Sequence, residues 1–186
     1  MTSVLLLCSS TDGQTRRICE RLRALLQDAG AAVTLTMIED AGQLAPAAWQ
    51  MAVIGARIRY GKTDPRVIAY ADRHAAALNA MPSAFFSVNI VARKPAKSRP
   101  DTNPYVQAFL RRVPWRPDLL EVFAGKLDYP RYGALDRLVI RFIMWLTDGP
   151  TAADTVVEYT DWQRVDAFGE RLCAAARRFP TPERAA

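Results

Sequence analysis

The chain has 186 residues, half of them apolar, which is enough to bury the core of one domain of ordinary size. Its 25 lysines and arginines outnumber its 19 aspartates and glutamates, and the formal charge of +6 suggests nucleic acid, an anionic membrane surface or an acidic substrate as partner. We expect neither a signal peptide nor a spanning helix, because no apolar run approaches the roughly 18 residues that a span needs.

The first predicted unit is a buried strand, a polar loop and a helix. The apolar run Val4–Cys8 predicts a strand covered on both faces, and apolar residues at helical spacing then predict a helix that Gly30 ends. The loop between them, Ser9–Thr15, carries hydroxyls and Gly13 at a helix N-terminus, where backbone N–H groups can hold a phosphate. It matches neither the GxxxxGK[ST] nor the GxGxxG pattern, so sites for triphosphates and dinucleotides are disfavoured. A cap and turn without a ligand is the alternative.

Four more strands are predicted farther along the chain. They are Val33–Ile38, Met51–Ala56, Ser83–Val91 and Leu119–Ala124. Strands that alternate with helices predict an α/β fold whose parallel sheet is covered on both faces. In such a sheet ligands bind beyond the carboxyl ends of the strands, where the winding reverses, and the loop Ser9–Thr15 lies at that edge.

The helices between these strands are marked by caps and apolar stripes. A weak helical segment is predicted over Ala41–Trp49. Asp64 and Asn103 each precede a proline and are expected to cap helices, the first with a buried stripe that runs to Leu78. A closing helix has an apolar stripe from Val165 to Phe179.

The nucleophilic and metal-binding residue types form no familiar pattern. Cys8, Cys19 and Cys173 fit neither a CxxC motif nor a metal-knuckle spacing, so we expect free thiols in a reducing compartment and no metal site. The sole histidine, His74, lies inside a predicted helix, where a packing or surface role is expected. Without a second histidine, Ser-His or Cys-His catalysis finds no support.

Several stretches resemble known flavoproteins. The loop Ser10–Thr15 resembles the phosphate loop of flavodoxins, and "VIGARIRYGK", "MPSAFFSVNIVARKP" and "WRPDLLEVFAGKLDYPRY" resemble the flavodoxin-like protoporphyrinogen IX dehydrogenases of haem biosynthesis. The resemblance spans nearly the whole chain. It implies one flavodoxin-like, FMN-binding domain over residues 1–186, with a doubly wound five-stranded parallel sheet and an insert at about 130–160, before the last helix. Asp12 stands where flavodoxins usually have a threonine, so we expect it to point away from the phosphate or to cap the helix.

The resemblance also implies a site for FMN, in which the flavin and no catalytic side chain carries the redox chemistry. The phosphate would be held by residues of the first loop, namely Ser10, Thr11, Gly13, Gln14 and Thr15. The isoalloxazine would lie against residues that follow the third, fourth and fifth strands: Arg57, Ile58, Arg59, Tyr60, Gly61, Ser87, Val88, Asn89, Gly125, Lys126 and Tyr129.

The implied substrate, protoporphyrinogen IX, combines a large apolar ring with two propionates, so its site should join an apolar face to cations. Arg59, Arg93 and Arg131 are the candidates. A solvated loop is the alternative for the basic cluster from Arg93 to Arg99. Nucleic acid is not a predicted partner, because no aromatic-interleaved basic helix or RNP-like pattern accompanies these charges.

The insert contains a predicted helix, Leu135–Leu146, that is too short to span a bilayer. It combines apolar side chains with Arg137 and Arg141, which lie four residues apart on one face. This combination is typical of a helix in an interface, where it would dock on a membrane surface or quinone. The alternative is that the helix packs on the domain or on a second copy in a homo-oligomer.

The resemblance implies an enzyme that oxidises protoporphyrinogen IX to protoporphyrin IX and passes the electrons to a membrane quinone, menaquinone or ubiquinone. We expect it to work as a peripheral protein at the cytoplasmic face of the cell membrane and otherwise to be cytoplasmic. A flavodoxin-like electron carrier, or a general quinone reductase without porphyrinogen activity, is the alternative. The basic charge favours the enzyme, because a carrier that docks on basic reductases should have an acidic face.

Overall fold

The computed structural model describes residues 1–131, 133–146 and 149–178, without the side chains of Arg131, Leu135, Asp136, Ile143 and Leu146. Its strands are β1 (Ser3–Ser9), β2 (Ala32–Met37), β3 (Met51–Arg59), β4 (Lys62–Thr63), β5 (Ser83–Asn89), β6 (Leu119–Ala124), β7 (Lys126–Asp128) and β8 (Val156–Glu158). Its α-helices are α1 (Gln14–Asp28), α2 (Pro65–Arg73), α3 (Ala75–Asn79), α4 (Pro104–Arg112), α5 (Ala134–Leu146) and α6 (Trp162–Arg177). Phe179, predicted in the closing helix, lies outside the described residues.

The predicted α/β fold is confirmed. Five strands pair in the order β2-β1-β3-β5-β6, and every pair along this path is parallel. The chain winds outwards from β1 to β2 and then returns across β1 to β3, so the winding reverses between β1 and β3. Such a reversal opens a crevice at the carboxyl ends of the strands.

Each face of the sheet has its own apolar core, which is why the strands are apolar at successive positions. On β1, Leu5 and Leu7 point to the face covered by α2, α3 and α4, whereas Leu6 points to the face covered by α1 and α6. The ring of Phe85 stacks on Phe109 in the first core, with ring centroids 4.1 Å apart. The predicted coverage of both faces is thus confirmed.

Two predicted helical segments differ from the structure. The segment predicted as a weak helix over Ala41–Trp49 forms two short 3-10 helices, Ile38–Gln43 and Pro46–Ala48. Gly42 disfavours a helix, and Pro46 cannot donate a helical hydrogen bond. The stripe that runs to Leu78 is divided between α2 and α3, because the backbone leaves helical geometry at His74.

The predicted strand Ser83–Val91 is two residues too long, because β5 ends at Asn89. There the Asn89 Oδ1 accepts a hydrogen bond from the backbone N–H of Ala92 at 3.1 Å and starts a 3-10 helix.

The predicted helix caps at Asp64 and Asn103 are confirmed. Asp64 accepts from the N–H of Arg66 at 3.0 Å, and Asn103 accepts from the N–H of Tyr105 at 3.1 Å.

The insert holds the predicted helix, here α5, and a feature that was not predicted. The strand β7, just before the insert, pairs with β8, near its end, as an antiparallel ribbon. A small third core joins Leu127 and Tyr129 to Met144 of α5.

Among the described residues, no helix combines the length and the apolar character that crossing a bilayer requires.

Candidate functional site

A cleft opens at the carboxyl ends of β1, β3, β5 and β6, and it is lined by most of the residues predicted to bind a cofactor. These are Ser10, Thr11, Gln14, Thr15, Arg57, Ile58, Arg59, Tyr60, Gly61, Val88, Asn89, Gly125 and Lys126. They come from four separate segments that only the sheet brings together. The cleft is therefore a concave site at the position where an open α/β sheet binds ligands.

The first loop presents a helix N-terminus to this cleft. Gly13, with φ at 88°, is the N-cap residue of α1 and has no side chain with which to cap the helix. The N–H groups of Gln14 and Thr15, the first two residues of the helix, therefore retain their capacity to bind an anion. The Ser10 hydroxyl accepts from the N–H of Arg16 at 3.4 Å, and Thr15, nearly buried, lies in the cleft wall.

Asp12 does not occupy the capping position, which is that of Gly13. It is exposed and lies in the wall of the cleft and of a second hollow, which is lined by the first loop and the first turns of α1. The expectation that Asp12 caps the helix is therefore wrong, whereas its orientation relative to a bound phosphate stays a prediction.

The side chain of Gln14 ties the first loop to the insert. Its amide nitrogen donates to the Thr160 hydroxyl at 2.8 Å and to Glu158 at 3.1 Å. Arg17 donates to the Gln14 carbonyl oxygen at 3.1 Å and to Glu158 at 2.9 Å. Burial alone raises the pKa of Glu158, but the hydrogen bonds from Arg17 and Gln14 lower it below its usual value. Both the nitrogen and the oxygen of the Gln14 side-chain amide thus have hydrogen-bond partners within the protein. The group that Gln14 can offer to an anion is therefore its backbone N–H.

The rim of the cleft is a tight hairpin. Arg59 of β3 pairs with Lys62 of β4 across the two-residue turn Tyr60-Gly61, and both turn residues have positive φ, at 49° and 73°. A turn of this kind suits glycine but strains tyrosine. The strained backbone holds an aromatic ring that is 51% exposed at the rim, with the Arg59 guanidinium 5.3 Å from the ring centroid.

A buried network of amides shapes the loop after β5. The Asn89 Nδ2 donates to the Ser87 hydroxyl at 3.2 Å, and the Asn103 Nδ2 donates to Asn89 Oδ1 at 3.3 Å and to the Lys97 carbonyl at 2.8 Å. Asn89 therefore fixes the loop that borders the cleft. Ser87 is fully buried behind it and is not part of the lining.

The other predicted site residues lie off this lining, and direct ligand contacts by them stay predictions. Gly13 borders the second hollow, at the first loop and the start of α1. Tyr129 is fully buried and donates its hydroxyl to the Pro150 carbonyl at 2.9 Å. Arg93 donates to the Ile90 carbonyl at 3.2 Å and lies against Gly149. The Arg131 side chain lies outside the described residues.

The cleft also contains residues that the sequence did not single out: Ile90, Val91, Tyr105, Leu127 and Ile140. Tyr105 comes from the first turn of α4. A Cβ added to Gly61 would lie about 4 Å from the ring and the hydroxyl of Tyr105. Ile140 comes from α5, so the insert completes the apolar side of the cleft. For Tyr105, the signal in the sequence was its place two residues after the cap at Asn103, in the first turn of the predicted helix.

An ion pair lies beneath the first loop and the hairpin. Asp64 is 2% exposed, receives a hydrogen bond from the Ser9 hydroxyl at 2.7 Å and lies 3.3 Å from Arg57. Burial alone raises the pKa of Asp64, but hydrogen bonds from Arg66 and Ser9 and the charge of Arg57 hold it well below its usual range. Asp64 is therefore ionised at neutral pH.

Comparison with known proteins places this cleft in context. A family model described as a flavodoxin domain matches residues 5–154. The chain is 42% identical over 168 residues to protoporphyrinogen IX dehydrogenase (quinone) of Escherichia coli K12, a match over 90% of this chain and 93% of that protein. It is 41% identical to the protein of the same name from Leishmania major, over 91% of this chain and 74% of that one.

Solved flavodoxins share the fold at low identity. A mutant flavodoxin from Pseudomonas aeruginosa aligns with a TM-score of 0.56 and 13% identity, over 94% of this chain and 99% of that chain. A flavodoxin from the domain Archaea aligns with a TM-score of 0.52 and 12% identity, over 95% and 99%. These likenesses support the architecture alone.

Proposed function

Because the chain belongs to the flavodoxin-domain family and, within it, to the quinone-dependent protoporphyrinogen IX dehydrogenases, we propose that it oxidises protoporphyrinogen IX to protoporphyrin IX with FMN and a membrane quinone. A flavodoxin domain implies a flavin cofactor. The observation that carries the proposal is the identity to dehydrogenases of this name along nearly the whole chain, together with a cleft at the expected edge of the sheet.

The residues of the cleft fit a flavin mononucleotide. The helix N-terminus at Gly13, with the N–H groups of Gln14 and Thr15, suits the phosphate, and the rings of Tyr60 and Tyr105 offer apolar surface for a planar ring system. The Arg57 Nε is a buried donor without a hydrogen-bond partner in the described structure, and a flavin ring has nitrogen and oxygen atoms that accept hydrogen bonds. The loop lacks the GxGxxG pattern of dinucleotide sites, so we propose FMN rather than FAD.

Bound FMN supplies the two-electron redox chemistry, and the chain supplies binding, orientation and charge. Thr15 and the first turn of α1 would hold the phosphate. Val88, Leu127 and Ile140 exclude water on the apolar side of the cleft. The cations at its rim, Arg59 and Lys126, suit a substrate with carboxylates.

Arg59 lines the cleft, whereas Arg93, the other predicted substrate cation with a described side chain, does not, and we propose that Arg59 binds a propionate of the substrate. Replacing it with alanine should lower kcat/KM for protoporphyrinogen IX about 10- to 100-fold, because a hydrogen bond between charged groups contributes about 1.5–3 kcal/mol. Turnover without oxygen, with a quinone as acceptor, measures the change.

The matched control is Arg111→Ala, which removes an exposed arginine of α4 that does not line the cleft. Both variants should keep the FMN content of the wild type. Loss of FMN from Arg59→Ala would assign Arg59 to the cofactor, and unchanged kcat/KM would place the propionates elsewhere.

The second candidate function is electron transfer between proteins, as in a flavodoxin-like carrier. The overall charge of +6 disfavours a partner with a basic docking face. A carrier would accept electrons from a reductase and would leave protoporphyrinogen IX unchanged in the absence of oxygen. The same turnover assay therefore separates the two functions.

We also propose that α5 docks on an anionic membrane surface, which would bring the protein to its quinone at the cytoplasmic face of the cell membrane. Leu138, Phe142 and Trp145 lie on one face of the helix and are 68%, 57% and 68% exposed. Arg141 is exposed beside them. Exposed apolar side chains next to a cation are typical of helices that lie in the headgroup region.

The combined variant Arg141→Glu, Trp145→Ser should move the protein from anionic vesicles to the supernatant on sedimentation. Each charge near the surface contributes about 1 kcal/mol, and burial of the indole contributes a comparable amount or more. The control Arg23→Glu changes an exposed arginine of α1. Equal sedimentation of all three proteins would contradict docking through α5, and a wild-type dimer that this variant converts to monomer would assign the face to a second copy.

A further inference from the structure

Asp64 is a buried carboxylate with more partners than a helix cap needs. Its backbone position caps α2, and its oxygens accept from the side chain of Arg66 at 2.7 Å and from the Ser9 hydroxyl at 2.7 Å. A third group, the Arg57 guanidinium, lies 3.3 Å away. Since Ser9 ends β1 and Arg57 lies near the end of β3, this carboxylate joins the two strands between which the winding reverses.

Arg57 is held at one end of its guanidinium and unsatisfied at the other. Its NH2 group faces Asp64, whereas its Nε is buried and has no hydrogen-bond partner in the described part of the chain. The side chain is only 22% exposed and lies in the cleft wall. A buried donor without a partner is rare in native proteins and calls for a ligand or water at that position.

We propose that Asp64 is a positioning residue that holds Arg57 so that its Nε donates a hydrogen bond to the bound flavin. This inference rests on the proposed function, because it needs a flavin in the cleft. A donor with positive charge stabilises the more electron-rich form of its ligand. The pair therefore raises the midpoint potential of the flavin and favours acceptance of electrons from the substrate.

The sign of the effect separates positioning from simple electrostatics. Asp64 is itself negative, so loss of its charge with Arg57 kept in place would raise the flavin potential. If Asp64 positions Arg57, the loss of Asp64 releases the guanidinium and lowers the potential instead. Asp64→Asn tests this directly, because asparagine caps helices as well as aspartate does and can still accept from Ser9.

The experiment measures the midpoint potential of the flavin in FMN-saturated wild type, Arg57→Gln, Asp64→Asn and the control Arg66→Gln. Arg57→Gln should lower the equilibrium constant for two-electron reduction at least about tenfold, which is about 30 mV for such a couple. Asp64→Asn should lower it in the same direction. Arg66→Gln removes the half-exposed partner of the same carboxylate and should stay within about threefold of the wild type.

An unchanged potential in Arg57→Gln, or a raised potential in Asp64→Asn, would overturn the inference. If Asp64→Asn does not fold, Asp64→Ser keeps a helix-capping side chain that is too short to hold Arg57 and should lower the potential, and a raised or unchanged value would again contradict positioning. A wild-type protein that binds no flavin would defeat the proposed function as well. A flavin-loaded wild type with unaltered variants would defeat this inference alone.

Discussion

Replacing Gly13 with valine should weaken FMN binding by about a hundredfold or more. Gly13 has φ at 88°. Glycine adopts this backbone conformation without strain, whereas a β-branched residue is strongly disfavoured in it. Relief of that strain would turn the first N–H groups of α1 away from the phosphate, and each hydrogen bond to a charged group contributes about 1.5–3 kcal/mol. Titration of the apoprotein with FMN, followed by quenching of flavin fluorescence, gives the dissociation constant.

Two controls separate the phosphate site from general backbone strain. Gly13→Asn should lose much less affinity, because asparagine tolerates the left-handed region. Gly30→Val imposes the same kind of strain at φ of 89° beyond the other end of α1, so it should reduce stability but leave FMN affinity near that of the wild type. Equal affinity of Gly13→Val and wild type would show that the phosphate binds elsewhere.

Replacing Gly55 with alanine should destabilise the whole sheet. A Cβ at this position of β3 would lie 2.2 Å from Cζ of the Phe86 ring, which is itself fully buried among Phe123 and Phe168. Overpacking of a dense core costs about 1–3 kcal/mol and occasionally more. Urea unfolding should therefore show a free energy of unfolding lowered by at least about 2 kcal/mol.

The control is Gly42→Ala, whose added Cβ would meet no atom within 4 Å. It should change the free energy of unfolding by less than about 0.5 kcal/mol. The double variant Gly55→Ala, Phe86→Leu should be more stable than the sum of its single changes predicts, because the smaller side chain vacates the space. Wild-type stability of Gly55→Ala would contradict the tight contact between Gly55 and Phe86.

The strands of the main sheet were predictable because burial on both faces leaves a continuous apolar run, as in Val4–Cys8 and Met51–Ala56. The ribbon of β7 and β8 was not, because three-residue strands with an exposed Val156 give no periodic signal. The break at His74 was hidden for a related reason, since the apolar stripe continues across it at helical spacing.

The candidate site was predictable where single segments end at the carboxyl edge of the sheet, as at Ser10–Thr15. It was not predictable where tertiary packing brings in a distant element, as with Tyr105 and Ile140. The direction of a long side chain is also set by its neighbours. The guanidinium of Arg93 donates to the Ile90 carbonyl and lies against Gly149 of the insert, contacts that the sequence did not show, and its predicted contact with the substrate stays a prediction.

The contacts of Asp64 were only partly predictable from the sequence. The sequence Asp64-Pro65 predicts a helix cap, and the structure confirms it. Its contacts with Ser9 and Arg57 depend on the parallel pairing of β1 with β3, which aligns Ser9 with Ala56. A local motif thus identified the residue but not its charged partners.

The most direct test of the proposed function is one anaerobic experiment on the purified protein loaded with FMN. Because the conversion takes three two-electron oxidations and each FMN accepts one electron pair, protoporphyrinogen IX is added at less than about one third of the FMN concentration and without any other acceptor. The flavin absorbance and the porphyrin fluorescence are followed together, and a quinone is then added. We expect the flavin band to bleach as protoporphyrin IX appears, and the quinone to restore the band. A flavin that stays oxidised in the presence of protoporphyrinogen IX would contradict the proposed activity.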